Sequence, residues 1–163
     1  MTSASQAALL PPVVKSLVVA RSQAEAFRIY VDEISMWWPA QPHSIGQAQV
    51  AGVTLEPRAG GRIFERWHDG SEKLWGTVIA FEPPVRLVHS WHVGSDPDQA
   101  SEVELRFVAI GAKRTRVTLE HRHWERMSGE RAATVRGAYD NGWEKVFRTG
   151  YGGHAGAVEG EES

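Results

Sequence analysis

Thr115-Arg116-Val117-Thr118-Leu119-Glu120-His121-Arg122-His123 alternates with a period of two. Val117, Leu119, His121 and His123 fall on one side of such a pleat, and Arg116, Thr118, Glu120 and Arg122 on the other. The same alternation runs through most of Gly61–Trp124. Ile63, Glu65 and Trp67 share a face, and so do Leu87, His89 and Trp91. The opposite positions, among them Arg62, Arg66, His68, Glu102, Glu104 and Arg106, read as solvated. The apolar faces therefore carry a carboxylate and imidazoles. Burying an unpaired charge costs several kcal/mol, comparable with the whole stability of a small domain. Inward Glu65, His89 and His121 point to a cavity with something polar in it rather than a dry core.

Outward from this stretch, strand-like runs cover Val50–Glu56, Gly61–His68, Lys73–Phe81, Arg86–His92, Ser101–Ile110 and Thr115–Trp124. Asp69-Gly70, Pro83-Pro84 and Gly111-Ala112 are short turns between them, which implies an antiparallel meander. Gly60-Gly61 precedes a strand and lacks a P-loop lysine, so it reads as a turn or bulge. Val13–Ala20 is a first strand. Ser22-Gln23-Ala24-Glu25 is a capping box, and Phe27, Tyr30, Val31 and Ile34 follow at helical spacing, predicting a helix that ends near Ser35. A last helix is predicted over Arg131–Arg148, with Val135, Ala138, Tyr139, Gly142, Trp143, Val146 and Phe147 as its apolar stripe and Gly150, Gly152 and Gly153 ending it. The expected fold class is α+β: a curved antiparallel sheet of about seven strands wrapped around a long C-terminal helix, with an internal cavity. One domain is expected over 13–151, with flexible tails at 1–12 and 152–163.

Composition narrows the function. The 163 residues are 42% hydrophobic and 23% charged, an ordinary globular balance. A net charge of −2, with Lys and Arg scattered, gives no footprint for nucleic acid. The absence of cysteine excludes disulfides, thiolate metal sites and cysteine nucleophiles, and fits a cytoplasmic location. No apolar run is long enough for a membrane span. Seven tryptophans in so small a chain suit an enlarged binding chamber.

Several short pieces resemble a known family. Gly60-Gly61-Arg62, Trp75-Gly76-Thr77-Val78, Glu82-Pro83-Pro84 with Leu87, Trp91, the Thr115–His121 strand and Gly142-Trp143 occur in an order similar to the AHSA-like family, related to the heat-shock ATPase activator. That family lies within the START-like and birch-pollen-allergen-like, helix-grip superfamily. Trp37-Trp38-Pro39, His43-Ser44-Ile45-Gly46 and Leu55-Glu56-Pro57 resemble a bacterial branch of it. The resemblance spans roughly Val13–Tyr151 and implies a helix-grip fold with a deep, mostly apolar cavity. It implies no particular reaction, since members of the superfamily bind lipids, hormones or polyketides and some catalyse.

The expected site gathers Glu65, His89 and His121 as polar anchors, with Trp67, Trp75 and Trp91 as apolar wall. The side of Trp75 is open because its strand alternates poorly. Trp37, Trp38 and His43 are placed near an opening, and Tyr139 and Trp143 project from the last helix. The expected activity is binding of a small hydrophobic or aromatic molecule. One alternative is an enzyme doing acid–base chemistry (cyclisation, dehydration or hydrolysis) in the same chamber; another is a chaperone-related protein-interaction module. No cofactor is expected, and no metal either, because the candidate ligands lie on separate strands without a signature spacing. A nucleophile elbow is absent as well. An exposed sheet edge leaves room for a homodimer.

Overall fold

The computed structural model describes residues 10–40, 43–93, 96–127 and 129–158. Residues 1–9 and 159–163 of the flexible tails expected at 1–12 and 152–163, and Gly94 and Ser95 of an expected loop, lie outside them. The elements are β1 (Val13–Val19), α1 (Gln23–Asp32), the short α2 (Ile34–Trp37), β2 (Val50–Leu55), β3 (Arg62–Trp67), β4 (Glu72–Glu82), β5 (Arg86–Trp91), β6 (Ser101–Gly111) and β7 (Arg114–Arg122). A C-terminal helix follows: α3 (Gly129–Trp143), a π-helical segment (Glu144–Tyr151) and α4 (Gly152–Ala155). The strands form one seven-stranded antiparallel sheet in the order β1-β7-β6-β5-β4-β3-β2, curled into a half-barrel around the helix. Among the described residues no helix is long and apolar enough to cross a membrane.

Local chemistry accounts for the elements. Ser22 accepts from the Glu25 amide, and the Glu25 carboxylate reaches back to the Ser22 amide, so the capping box starts α1 as expected. α1 buries Phe27 and Tyr30 against Phe107 of β6, with ring centroids 5.1 and 6.2 Å apart. Lys15 of β1 lies 2.7 Å from Asp140 and 2.6 Å from Glu144, tying the sheet edge to the final helix. On the convex face Glu104, read from the sequence as solvated, is buried beneath Arg86, Arg106 and Arg122.

Three departures from the sequence reading have physical causes. The final helix does not end at its glycines. It widens to π geometry at Glu144, where Val146 and Tyr151, five residues apart, both become buried, and Tyr151 bonds the Ala26 carbonyl. It then runs on through Gly152–Ala155, and Ala157 bridges to Val19, so residues 152–158 are an ordered closing segment rather than a tail. Pro11 and Pro12 are likewise held, their carbonyls accepting from Arg136. Finally, β7 stops at Arg122 because His123 turns into the left-handed region (φ 69°), and its ring joins Glu125 at 2.8 Å. His123 therefore leaves the inward face, and Trp124 is buried instead.

The sheet is tightest where it bulges. β3 and β4 slip register between Ile63 and Phe64, which makes Trp75 the extra residue and turns it inward. At neighbouring Gly76, a Cβ would stand 1.9 Å from the backbone oxygen of Ser90. Gly76→Ala is therefore expected to destabilise the protein by roughly 3 kcal/mol, because backbone must move to admit a methyl group. Urea unfolding measures this directly.

Candidate functional site

A chain of aromatic rings runs through the interior and ends at a cavity. Trp38, just past α2, is its centre, with ring centroids 4.8 Å from Trp75, 5.6 Å from Trp37, 5.8 Å from Trp91 and 5.9 Å from Trp143. Beyond it lies a cavity of about 280 Å³ lined by Trp38, His43, Ser44, Trp91, Val93, Ala138, Tyr139, Gly142, Trp143 and Val146. A second hollow of about 520 Å³ lies at the other end of the fold, between α1 and the β4–β5 turn. Arg28, Asp32, Pro57 and Pro83 at its rim are exposed, so it is a surface groove rather than a chamber.

Glu65 holds one wall of the cavity in place. Its carboxylate is fully buried and accepts four hydrogen bonds. Oε1 takes the Ile45 amide at 2.8 Å and the Trp75 indole at 2.6 Å; Oε2 takes the Gly46 amide at 2.6 Å and the Trp67 indole at 2.8 Å. Both oxygens thus act as acceptors twice. The partners that an inward carboxylate demands come from the protein itself. They clamp the segment after α2 onto β3 and β4, and so position His43, whose carbonyl accepts from the Trp38 indole at 2.7 Å.

His121 anchors the opposite wall. Trp143 Nε1, which can only donate, bonds His121 Nδ1 at 3.0 Å. The proton of the neutral ring therefore sits on Nε2 and is given to Ser101 Oγ at 2.7 Å, and Ser101 donates to the Trp91 carbonyl at 3.2 Å. Burial, and then the neighbouring His89, hold the His121 imidazole well below its ordinary range. His89 is also buried, with Nδ1 3.0 Å from the Ser90 carbonyl, and burial pushes its pKa down to about 4. At the cavity, Tyr139 accepts from the Trp91 indole at 2.9 Å. Burial raises its phenol pKa, while burial and nearby Lys145 lower that of the His43 imidazole. Both groups are thus kept neutral near pH 7.

Of the residues singled out from the sequence, the structure brings Trp38, His43, Trp91, Tyr139 and Trp143 into the cavity lining. Trp37, Trp75, His89 and His121 stand behind that lining as buried support, Glu65 clamps the wall, and Trp67 is half-buried beside it under Lys73. Trp37 is turned towards α1, where its indole donates to the Ile29 carbonyl. Glu65, His89 and His121 do not form one acid–base set, since Glu65 is spent on the clamp and the two imidazoles face different partners. The reading from sequence missed Ser101 and the Ile45-Gly46 amides, which carry no side-chain pattern of their own. Ser44, Val93, Ala138, Gly142 and Val146 complete the lining; three of these already sat in the helical stripe. Among the described residues, no three His, Asp or Glu side chains converge as metal ligands.

Residues 21–149 match the family described as activator of Hsp90 ATPase homolog 1-like protein. The chain belongs to that family. Among solved structures, this family member is similar to an anthrahydroquino-gamma-pyrone synthase, Txn09, with 37% identity, 80% of this chain and 88% of that one covered, and a TM-score of 0.56. It is also similar to CalC, a self-sacrificing resistance protein from Micromonospora echinospora, with 30% identity, coverage of 89% and 96%, and a TM-score of 0.63. An HSP90 activator from Plasmodium falciparum aligns over 91% of this chain and 99% of its own with a TM-score of 0.61, but at 14% identity it shows the fold alone. No curated protein matches.

Two outcomes test the supporting walls. Glu65→Gln sets an amide NH2 against N–H donors and is expected to cost roughly 3 kcal/mol in urea unfolding, since a buried acceptor of several bonds is replaced by a clash of donors. Acid acts through the imidazoles. Above pH 6.5, His89 is neutral folded and unfolded. Below it, the unfolded chain takes up a proton that the folded chain refuses until about pH 4. Stability is expected to fall by roughly 3 kcal/mol across that window from His89 alone. His89→Gln should lessen the slope of the pH–stability curve between 6.5 and 5, leaving the share that His121 contributes.

Proposed function

We propose that the cavity binds a planar, polycyclic aromatic small molecule of the anthraquinone kind. The observation that carries this reading is the aromatic box. Trp38, Trp91, Tyr139 and Trp143 bound a space of about 280 Å³ whose floor is left open by Gly142, where a Cβ would meet nothing within 4 Å. Flat rings suit such walls because stacked and edge-to-face contacts add to apolar burial. A glycine inside a helix costs about 1 kcal/mol relative to alanine. Gly142 has no close neighbour that excludes a methyl group, so room for an occupant is the better account of it. The likeness to Txn09, at 37% identity, supports a polycyclic aromatic occupant.

Because Txn09 is a synthase, a second reading has support as well. In it, His43 and Tyr139, both in the lining, exchange protons with the bound molecule during a cyclisation, dehydration or hydrolysis. The two readings part on whether a bound compound is recovered unchanged.

Isothermal titration calorimetry with anthraquinone-2-sulfonate tests the cavity. One molecule is expected to bind per chain, and Gly142→Leu, which fills the floor, is expected to abolish binding while the protein stays folded. Gly142→Ala is expected to raise stability by up to about 1 kcal/mol and to weaken binding. No binding to the wild-type protein, or equal binding to Gly142→Leu, sinks the reading.

A further inference from the structure

Around the cavity, the donors of the protein are spent on the protein. Trp38 Nε1 gives its proton to the His43 carbonyl, Trp143 Nε1 to His121, and the Ser44 hydroxyl to the Ala40 carbonyl. Among the described residues the exceptions are the His43 ring and Tyr139. The Tyr139 oxygen accepts from Trp91 Nε1 at 2.9 Å, and an indole N–H can only donate, so the phenol's own proton takes no part in that bond. Among the described residues, no acceptor stands within hydrogen-bond distance of that proton, and the phenol lines the cavity. The Trp91 indole that fixes this polarity is itself seated. Ser101 holds its carbonyl, and Trp38 and Trp143 pack against its ring at 5.8 and 5.6 Å.

We propose that Tyr139 is a specificity-determining residue: it donates its hydroxyl proton to a carbonyl oxygen of the occupant and so selects quinones and aryl ketones over aromatic hydrocarbons of the same shape. This rests on the cavity reading above and deepens it. A carbonyl oxygen satisfies a mostly buried donor, whereas a hydrocarbon covers that donor and leaves it unpaired. Burial keeps the phenol protonated, so the donor persists through neutral pH. His43, the other polar ring in the lining, can add a bond, but among the described residues no partner fixes which of its nitrogens carries the proton.

The test compares two probes of matched shape and charge, anthraquinone-2-sulfonate and anthracene-2-sulfonate, by equilibrium dialysis against wild type and Tyr139→Phe. Wild type is expected to prefer the quinone by about fivefold or more, the worth of one well-made hydrogen bond. Tyr139→Phe is expected to bring the two affinities within about twofold by weakening the quinone alone. A second readout needs no variant: on binding to wild type, the infrared carbonyl band of the quinone should split, one component moving to lower wavenumber. Equal affinities in wild type, an equal loss of both probes in Tyr139→Phe, or an unsplit carbonyl band each overturn the proposal while leaving the cavity reading standing. Failure of both probes to bind wild type overturns the cavity reading, and this proposal with it.

Discussion

A carboxylate sealed in a tryptophan-rich interior persists only if donors surround it, and Glu65 collects four. Two of those donors are backbone amides of the segment between α2 and β2; the other two are indoles from β3 and β4. One side chain therefore fixes the loop that brings His43 to the cavity, the inward turn of Trp75 at the bulge, and the seat of Trp67. Trp75 in turn packs on Trp38, and Trp38 on Trp91 and Trp143. One wall of the cavity thus traces back to a single charged group, whose pairing would cost several kcal/mol to leave half made.

The opposite wall follows a different logic. His121 carries no ion pair. It is a neutral relay whose two nitrogens are told apart by the indole of Trp143, and it links the final helix to Ser101 at the start of β6 and, through Ser101, to β5. Lys15 reinforces the same junction from β1 through Asp140 and Glu144. The widening of the helix to π geometry begins immediately after Trp143, so Ala138, Tyr139, Gly142 and Trp143 line the cavity from α-helical turns, while the π turns add Val146 to the lining and bury Phe147 and Tyr151.

Much of the fold was legible in the sequence because period-two alternation, turn residues and the Ser22–Glu25 box act locally. Every strand lies within a residue or two of its expected place. The faces of Glu65, His89 and His121 were also legible, since side-chain direction follows from strand phase. Their partners were not. Hydrogen bonds from the Ile45 and Gly46 amides to Glu65, or from Trp143 to His121, join positions some twenty residues apart, and no local pattern encodes them. A polar group on an apolar face signals that partners exist without saying whether they belong to ligand or protein. Here the indole N–H groups of the many tryptophans supply them. Trp75 resisted assignment because the bulge beside it breaks the very alternation used to read its strand. The helix end was misjudged for a related reason. A glycine weakens a helix without ending it, and here tertiary packing carries the helix on: Gly152 is buried against Leu17 and Ala157.

The ring chain centred on Trp38 has an optical consequence. Indoles whose centroids lie 4.8–5.9 Å apart do not absorb independently. Their transition dipoles couple, and the fixed tilts between rings make the coupled set chiral. Light absorbed by Trp37, deep beneath α1, is shared across Trp38 with Trp75 and with Trp91 and Trp143 at the cavity, so these side chains behave as one chromophore rather than five. Near-ultraviolet circular dichroism thus reports the geometry of the whole chain of rings, and an event at the cavity is registered by residues that never touch it.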